Sequence, residues 1–177
     1  MKLEPKNTPD SPKQKFERLA FTTRMATPDD WEAIKDLREF SINSEDADML
    51  GMRERLTQQL GRTEEEWRAD LSNDKNIYTV AFIGSKLIGI SFGTQSEGSN
   101  EIWDSRYVYV LPEFGNSGVG KELFARRLRT TIERGGKTIL ISIRNPAALK
   151  MIKAFVPEID NNAKISEAGV RLRLARV

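Results

Sequence analysis

The segment FGNSGVGKEL contains the residue types and spacing of a phosphate-binding loop. Gly115 and the pair Gly120-Lys121 fit the pattern G-x-x-x-x-G-K, which is typical of loops that bind nucleotide triphosphates. In that motif the next residue is Ser or Thr, whose hydroxyl holds Mg²⁺, but here it is Glu122. The segment therefore has two interpretations: a loop for a nucleotide triphosphate, or a loop for another phosphate.

Main-chain amides at the start of a helix bind anions, and glycine lets a phosphate approach the backbone closely. A helix is predicted over residues 118–134, directly after the glycines, so we expect the loop to hold a phosphate or pyrophosphate. A tight turn that needs glycine only for its dihedral angles is the alternative. In a nucleotide-triphosphate site, an Asp at the end of a later strand helps to hold Mg²⁺. Here the strand TILISI is followed by Arg144, so a triphosphate is less favoured. The glycines also do not form the dinucleotide-binding pattern G-x-G-x-x-G.

The chain of 177 residues contains no Cys and no His. These absences exclude disulfides, thiolate nucleophiles, Cys- or His-ligated metals and the Ser-His-Asp triad. Acid–base chemistry must therefore fall to Asp, Glu, Tyr, Lys or a chain terminus. The composition favours a reaction that needs little covalent help from the protein, and we expect no metal.

The net charge of +2 is unevenly distributed. From residue 121 onward there are 13 Lys and Arg against 5 Asp and Glu, which favours a polyanionic ligand on this half; solvated helix faces are the alternative. Few aromatic residues lie among the basic ones, so we expect no nucleic-acid partner. No apolar run approaches the ~20 residues of a membrane span, and residues 1–20 lack the apolar region of a signal peptide. We therefore expect a cytoplasmic protein with no membrane partner.

Hydrophobic periodicity and turn residues predict a single domain over residues 21–177, preceded by a flexible Lys-, Pro- and Ser-rich tail over residues 1–20. One strand, the glycine-rich loop, a helix and the strand KTILISI form a unit that requires a crossover between parallel strands. We expect KTILISI to be buried on both faces, as parallel strands are. The other predicted elements are a strand over 21–25, a helix capped by Thr27, helical segments on either side of Gly61, a hairpin turning at Gly84-Ser85, a short helix capped by Asn145 and a final strand in GVRLRLARV.

The segment YVYVLPEFGNSGVGKELFARRLRTTIERGG, followed by TILISIRNPAALKMIKAF, resembles the core of the GNAT superfamily of N-acetyltransferases. In that family a strand ending in V-x-P-E precedes Gln/Arg-x-x-Gly-x-Gly/Ala at a helix start, and the next strand leads to Asn-x-x-Ala. The resemblance spans Phe21 to about Phe155. It implies an α/β fold: a mixed, mostly antiparallel sheet with a central parallel strand–loop–helix–strand crossover, flanked by helices. The matching residues are Val110, Pro112, Glu113, Gly118, Gly120, Asn145 and Ala148.

The resemblance implies an N-acetyltransferase that moves acetyl from acetyl-CoA to a primary amine by direct attack in a ternary complex. Main-chain groups near Val108 and Val110 would pair with the pantetheine arm as a further strand does. CoA is polyanionic, which agrees with the basic half of the chain, and a homodimer is common in such proteins. A CoA-binding module without turnover is the alternative, and a P-loop nucleotide-binding protein is the third. The implied cofactor-binding residues, beside the two valines, are Gly115, Asn116, Ser117, Gly118, Val119, Gly120, Lys121 and Asn145.

Two positions depart from the family pattern. Gly115 stands at the Gln/Arg position, and Asn116 replaces the first loop glycine; Asn tolerates a positive φ better than most residues. Ile152 stands where a Tyr commonly protonates the leaving thiolate. Water or another tyrosine would then serve as the acid, the candidates being Tyr78, Tyr107 and Tyr109.

Some family members carry an acid on the strand before the loop, about six residues ahead of the Val of V-x-P, and Asp104 stands at that position. Asp104 is therefore the first candidate for the base that takes the amine proton, directly or through a water, and Glu101 is the second. Strand alternation predicts Asp104, Arg106, Val108 and Val110 on one face, and Trp103, Tyr107 and Tyr109 on the other. Arg106 could then pair with Asp104 and occupy the carboxylate. The acidic segment Ser44–Asp48 lies where family members place the acceptor, and it favours a cationic amine.

Overall fold

The structure is a computed structural model that describes residues 20–43, 53–141, 164–166 and 169–173. Three sequence predictions lie outside the described residues: the tail over residues 1–20 except its last residue, the acidic segment Ser44–Asp48, and the helix capped by Asn145. The roles expected of Asn145 and Ile152 therefore remain predictions from the sequence.

The described elements follow the predicted order. A strand absent from the prediction, β6, is only three residues long, too short for an alternating pattern to be visible in the sequence. In chain order the elements are β1 (Thr22–Met25), a 3-10 helix (Pro28–Asp30), α1 (Trp31–Ile42), α2 (Arg53–Leu60), α3 (Glu64–Ser72), β2 (Asn76–Ile83), β3 (Lys86–Gln95), β4 (Ile102–Val110), a second 3-10 helix (Pro112–Phe114), α4 (Val119–Glu133), β5 (Thr138–Ile141), β6 (Lys164–Ser166) and β7 (Gly169–Arg173).

The described strands form one seven-stranded sheet in the order β1-β2-β3-β4-β5-β7-β6. β4 and β5 are parallel, and the other neighbouring pairs are antiparallel. The parallel pair is joined through the glycine-rich loop and α4, which confirms the predicted central crossover in a mostly antiparallel sheet. Gly84 has φ +56° in the turn of the predicted β2–β3 hairpin.

The starts of two helices are fixed by local polar contacts. Asp30 Oδ2 accepts hydrogen bonds from the Thr27 N–H (2.7 Å) and the Thr27 hydroxyl (3.0 Å). At the start of α3, the Glu66 N–H donates to Thr63 Oγ1 (3.3 Å) and the Thr63 N–H donates to Glu66 Oε2 (2.7 Å). Thr27 lies at the predicted helix start, as the N-cap of the 3-10 helix that leads into α1, and Thr63 is the N-cap of α3. The break between α2 and α3 falls at Gly61, as predicted.

Helices cover both faces of the sheet. On one face, a Cβ added at Gly93 of β3 would lie 3.1 Å from Cδ of Arg127 on α4. The neighbouring Phe92 points to the opposite face and stacks on Tyr78, with 4.2 Å between ring centroids. Arg38 of α1 lies over that Tyr78 ring, at 5.6 Å from its centroid. The sheet therefore separates α4 from α1.

The apolar stripe of α4 faces the core. Its four buried members are Val119, Leu123, Phe124 and Leu128. In β5, Ile139 and Ile141 are buried, but Thr138 and Leu140 are only half-buried. The prediction that this strand is buried on both faces is therefore wrong for its described part. Thr138 and Leu140 lie on the face of β5 opposite that of Ile139 and Ile141, and this face is only partly covered.

The end of α4 is attached to the start of β2. Arg134 Nη1 donates to Asp74 O and to Asn76 O, at 2.7 Å each. The chain then turns through Gly135, at φ +81°, a conformation in which glycine commonly ends a helix. α4 is thus held both at the glycine-rich loop and at the turn between α3 and β2.

Candidate functional site

The chain from β4 to α4 forms a compact turn. The Leu111 N–H donates to Ile88 O of β3 (2.9 Å), and the Gly115 N–H closes the short 3-10 helix by donating to Pro112 O (3.0 Å). Ser117 Oγ donates to Phe114 O (2.6 Å). The loop is therefore held by its own main chain and by the neighbouring strand.

The β2–β3 hairpin also contacts this loop. Lys86 Nζ lies 3.1 Å from Glu113 Oε1 and 5.3 Å from the centroid of the Phe114 ring. Internal hydrogen bonding at Glu113, and then the bond from Lys86, hold the pKa of the Glu113 carboxyl below its ordinary value. Lys86 thus places a positive charge beside the carboxylate at the loop entrance.

Two loop residues have a positive φ. Gly118 has φ +89° and is the N-cap of α4, and Asn116 has φ +59°. Asn is among the residues that adopt this conformation with least strain, so the departure from the family glycine is accommodated. Gly115 has φ −57°, a value open to any residue. The glycine requirement of the turn therefore lies at Gly118.

The first turn of α4 presents main-chain N–H groups. The first intrahelical hydrogen bond is donated by Glu122 N–H to Gly118 O (3.1 Å), so the amides of Val119 and Gly120 precede the first helical donor. Gly118 has no side chain with which to cap them. Such a helix start is suited to an anion. Lys121 adds an exposed cationic side chain in the same turn.

The first turn of α4 lies against the final residues of β4. A Cβ added at Gly120 would be 3.6 Å from Val110 Cγ2 and 3.8 Å from Val108 Cγ1. The described parallel pairing of β4 with β5 runs from Ile102 to Ser105, whereas β4 continues to Val110. The last residues of β4 therefore combine two features: they extend past the described end of β5, and they lie next to the helix start.

β4 contains a β-bulge at Arg106. Phe92 of β3 pairs with Tyr107 and Gly93 pairs with Ser105, so Arg106 is an extra residue on β4. A bulge of this kind changes which residues share a face. The sequence carries no local signal for it, because the register depends on the partner strand.

The bulge corrects the predicted faces of β4. Asp104, Tyr107 and Tyr109 pair with alternate residues of β3 and so share the face towards α1. Val108 and Val110 face α4, as their distances to Gly120 show. The predicted grouping of Asp104 and Arg106 with these valines is therefore wrong. The predicted face of Trp103 is also wrong, because Trp103 packs with Phe124 and Leu128 of α4 and not with the two tyrosines.

Asp104 accepts two hydrogen bonds through Oδ2. Ser96 Oγ donates at 2.9 Å and Arg106 Nη2 donates at 3.4 Å. The predicted Asp104–Arg106 pair is thus present. The carboxylate remains partly accessible, with 26% of the side chain exposed.

The other two candidate catalytic residues differ in position. Glu101 precedes β4 and forms an ion pair with Lys137. At about 3.3 Å per residue, Glu101 lies roughly 30 Å from Val110 along the strand, at the end opposite the helix start. Tyr109 is half-buried and packs against the core on the α1 face. Asp104 and Tyr109, like the alternative acid Tyr107, therefore lie on the stretch of β4 that leads to the loop, whereas Glu101 does not.

Two buried arginines were missed by the sequence analysis. Arg38 donates to Gln59 Oε1 and to the Tyr107 hydroxyl oxygen, and its guanidinium lies 4.8 Å from the Trp67 ring centroid. Burial lowers the pKa of Arg38. Arg127 of α4 is likewise buried. A signal was present: each arginine lies four residues after a buried apolar residue, Ile34 or Leu123, on a helix stripe.

Among the described residues, no group of three or more acidic side chains is arranged to hold a metal ion. Within the same ranges, no helix has the length and apolar character required to cross a bilayer.

No protein-family model and no curated protein matches the sequence of this chain. Solved structures do match its fold. A GNAT-family acetyltransferase from Streptococcus pneumoniae is 20% identical with a TM-score of 0.63, over 86% of this chain and 96% of that one. PaiA N-acetyltransferase from Thermoplasma acidophilum, in complex with coenzyme A, is 14% identical with a TM-score of 0.63, over 88% and 99%. AAC(6')-Iy, in complex with the bisubstrate analogue CoA-S-monomethyl-acetylneamine, is 19% identical with a TM-score of 0.54, over 77% and 87%. With β4 and β5 parallel in an otherwise antiparallel sheet, this chain has the GNAT fold.

Proposed function

We propose that this protein is an N-acetyltransferase that moves acetyl from acetyl-CoA to a primary amine by direct attack in a ternary complex. The observation that carries the proposal is the uncapped start of α4, which lies against Val108 and Val110 of β4. We expect it to act in the cytoplasm, without a metal, nucleic acid or membrane. A homodimer remains an expectation from the family resemblance.

The residues present fit the donor. Gly118 leaves the first-turn amides of α4 without a side-chain cap, so a pyrophosphate can accept hydrogen bonds there. Main-chain groups of Val108 and Val110 would pair with the amides of the pantetheine arm. PaiA N-acetyltransferase was solved with coenzyme A and AAC(6')-Iy with a CoA-linked bisubstrate analogue, so the fold accommodates this ligand in those proteins.

Acetyl transfer requires an amine that has lost its proton. The amine nitrogen then attacks the thioester carbon, and the C–S bond breaks. The nitrogen gives up its extra proton as the amide forms, and the departing thiolate takes up a proton. Asp104 is the proposed base, through a water, because it is partly accessible and shares a face with the tyrosines of β4. A main-chain N–H near Val110 would polarise the thioester carbonyl. Glu101 is a weaker candidate, because it lies at the opposite end of the strand.

The proton for the thiolate has several candidate sources, because Ile152 stands at the usual Tyr position. Tyr78 is buried and its hydroxyl donates to Asp70. Burial is the main cause that raises the pKa of Tyr78. Tyr107 and Tyr109 are half-buried and lie on β4 itself, although the Tyr109 hydroxyl oxygen is buried. Tyr109 is our proposed acid, with Tyr107 and water as alternatives.

A CoA-binding module without turnover is the second candidate. One observation favours it: Asp104 already accepts hydrogen bonds from Ser96 and Arg106, which compete with an amine or water for the carboxylate. A P-loop nucleotide-binding protein is the third candidate, and it rests only on the spacing of Gly115, Gly120 and Lys121.

Calorimetric titration with CoA, acetyl-CoA and Mg²⁺-ATP tests the proposal, followed by acetyl transfer to a panel of polyamines, amino acids and peptides. We expect binding of both CoA forms, no binding of Mg²⁺-ATP, and product with at least one amine. CoA binding without any product would favour the non-catalytic module. Mg²⁺-ATP binding without CoA binding would favour the P-loop interpretation, and no uptake of any of the three would refute all of them.

A further inference from the structure

Arg127 is a buried arginine whose hydrogen bonds go to the main chain and a hydroxyl. Its side chain crosses from α4 to the sheet, where Nη1 donates to Phe92 O (2.5 Å) and Tyr107 O (3.0 Å). Nη2 donates to Ser105 Oγ (2.6 Å). Among the described residues, no carboxylate is hydrogen-bonded to this guanidinium. Burying a charge is costly, so a guanidinium placed here calls for an explanation beyond filling the core.

The three acceptors surround the bulge of β4. Phe92 and Tyr107 are the last regular pair before the extra residue Arg106, and Ser105 begins the next pair. A bulge disrupts the ladder locally, so carbonyls beside it need other donors. Arg127 supplies those donors to both strands. It therefore stabilises the bulge in a way that an apolar side chain would not.

The sequence of β3 makes room for this side chain. A Cβ at Gly93 would lie 3.1 Å from Arg127 Cδ and 3.2 Å from Asp104 O. Both distances are tighter than ordinary van der Waals contact. Glycine at position 93 thus lets the arginine reach the bulge from the α4 side.

The bulge lies between the part of β4 that pairs with the described residues of β5 and the end of β4 at Val108 and Val110. Ser105 pairs with Ile141, the last described residue of β5, and the bulge residue Arg106 follows directly. We propose that Arg127 is a positioning residue that fixes the direction of β4 beyond this point, and so the main-chain edge at Val108 and Val110 that would receive the pantetheine arm. This inference rests on the proposed function, and it concerns the arm of the ligand and not its phosphates.

The test uses two ligands that differ in the arm. CoA carries the pantetheine arm on the outer phosphate of its pyrophosphate, whereas adenosine 3′,5′-bisphosphate lacks the arm and that outer phosphate, which would bind at the start of α4 and not at the bulge. The variants are Arg127→Met, which removes the donors and keeps an unbranched apolar chain, and Arg127→Lys, which keeps a donor. Leu128→Val is the matched control, since Leu128 is buried on the same helix and does not contact the bulge carbonyls. Thermal unfolding and calorimetry are measured for each.

We expect Arg127→Met to weaken CoA binding by at least about tenfold while binding of the bisphosphate stays within about twofold, because only the arm depends on the direction of β4. Arg127→Lys should lie between Arg127→Met and the wild type. Leu128→Val should lower the Tm with CoA affinity unchanged. A folded Arg127→Met protein that binds CoA as the wild type does, or that loses both ligands equally, overturns the inference and leaves the proposed function intact.

Ser105→Ala provides a second route if Arg127→Met does not fold. It removes one acceptor of Arg127 and leaves the guanidinium and its other two bonds in place. We expect a smaller loss of CoA affinity, again without a loss for the bisphosphate; unchanged CoA affinity would contradict the inference. If the wild-type protein binds no CoA, the proposed function fails first and this inference fails with it.

Discussion

Gly118 serves a backbone conformation and a candidate binding site at once, and substitutions can separate the two. Its φ of +89° strains any other residue, although a Cβ there would meet no atom within 4 Å. We expect Gly118→Ala to lose about 1–2 kcal/mol of unfolding free energy through strain alone. Gly118→Asp should lose less, because Asp is a favourable N-cap and its charge suits a helix start.

The order of CoA affinities should be the reverse. Gly118→Asp places a carboxylate where the pyrophosphate would bind, so we expect it to lose far more CoA affinity than the less stable Gly118→Ala. Urea unfolding and calorimetry on the same samples check both orders. If affinity instead follows stability across the two variants, the glycine serves only the turn.

Asp104 is the residue on which the proposed base depends. Asp104→Asn keeps the size of the side chain and removes the proton acceptor, so we expect turnover at neutral pH to fall by about 10²–10⁴-fold. The affinity for acetyl-CoA should change little. Steady-state kinetics at saturating acetyl-CoA measure the effect.

Arg106→Gln is the matched control for Asp104→Asn. It removes the guanidinium that donates to Asp104 and leaves the carboxylate in place. Turnover should be retained or should rise, because a competitor for the carboxylate is gone. Equal losses in the two variants would show that the pair is needed for the strand and not for proton transfer.

At the scale of whole elements, the distance between α4 and the sheet predicts opposite changes in stability when a methyl group is added at two glycines. A Cβ at Gly120 would make ordinary contacts of 3.6–3.8 Å, whereas one at Gly89 would lie 3.0 Å from Leu123 Cδ1 and 3.1 Å from Tyr109 O. Gly120→Ala should therefore stabilise the protein by about 0.5–1 kcal/mol, because Ala favours a helix. Gly89→Ala should destabilise it by about 1–3 kcal/mol through overpacking.

Urea unfolding of the two alanine variants measures these changes. Each variant adds the same methyl group, and each serves as the control for the other. Destabilisation by Gly120→Ala would mean that α4 and β4 lie closer together than described.

The helices, the hairpin and the crossover could be predicted because their signals are local. Thr27 and Thr63 mark helix starts, and Gly84 marks a turn, each within a few residues. The bulge could not be predicted, since it exists only in the register between β3 and β4. The sequence therefore predicted the loop between β4 and α4, but it placed Asp104 on the wrong face of β4.

The same limit explains the buried arginines. An arginine on a helix stripe is ordinarily assigned to solvent, because burying its charge without partners is costly. The partners of Arg127 are carbonyls of two strands, and their availability depends on the bulge. Local sequence patterns do not predict the burial of such a residue, because its hydrogen-bond partners are distant in the sequence.

For the molecule as a whole, Asp30 links folding to pH. Burial alone would raise the pKa of Asp30, but hydrogen bonds from Arg24 and Thr27 outweigh it and hold the pKa below its ordinary value. The folded state thus favours the ionised carboxylate. The resulting stability is fully present above the ordinary pKa of about 4 and is lost as the pH falls through the lower, folded value.

Asp30→Asn should therefore be less stable than the wild type at pH 7, by about 1–2 kcal/mol. The difference should shrink as the pH falls below about 4. Asp29→Asn is the control, because Asp29 is exposed and its ion pair with Arg68 is on the surface, where such pairs contribute about 0–1 kcal/mol. Unfolding free energies measured from pH 7 to pH 3 test this, and a constant difference would contradict the linkage.

The attachment of α4 at both of its ends has a consequence for hydrogen exchange. The helix is 15 residues long, or roughly 22 Å, and Arg134 just beyond it bonds the carbonyls of Asp74 and Asn76. Local opening of the turn between α3 and β2, at the far end of α4, requires Arg134 to release both carbonyls. An anion bound at the first turn would reduce the opening motions of the whole helix. Amide hydrogen exchange should therefore slow around residues 74–76, far from any atom of the ligand.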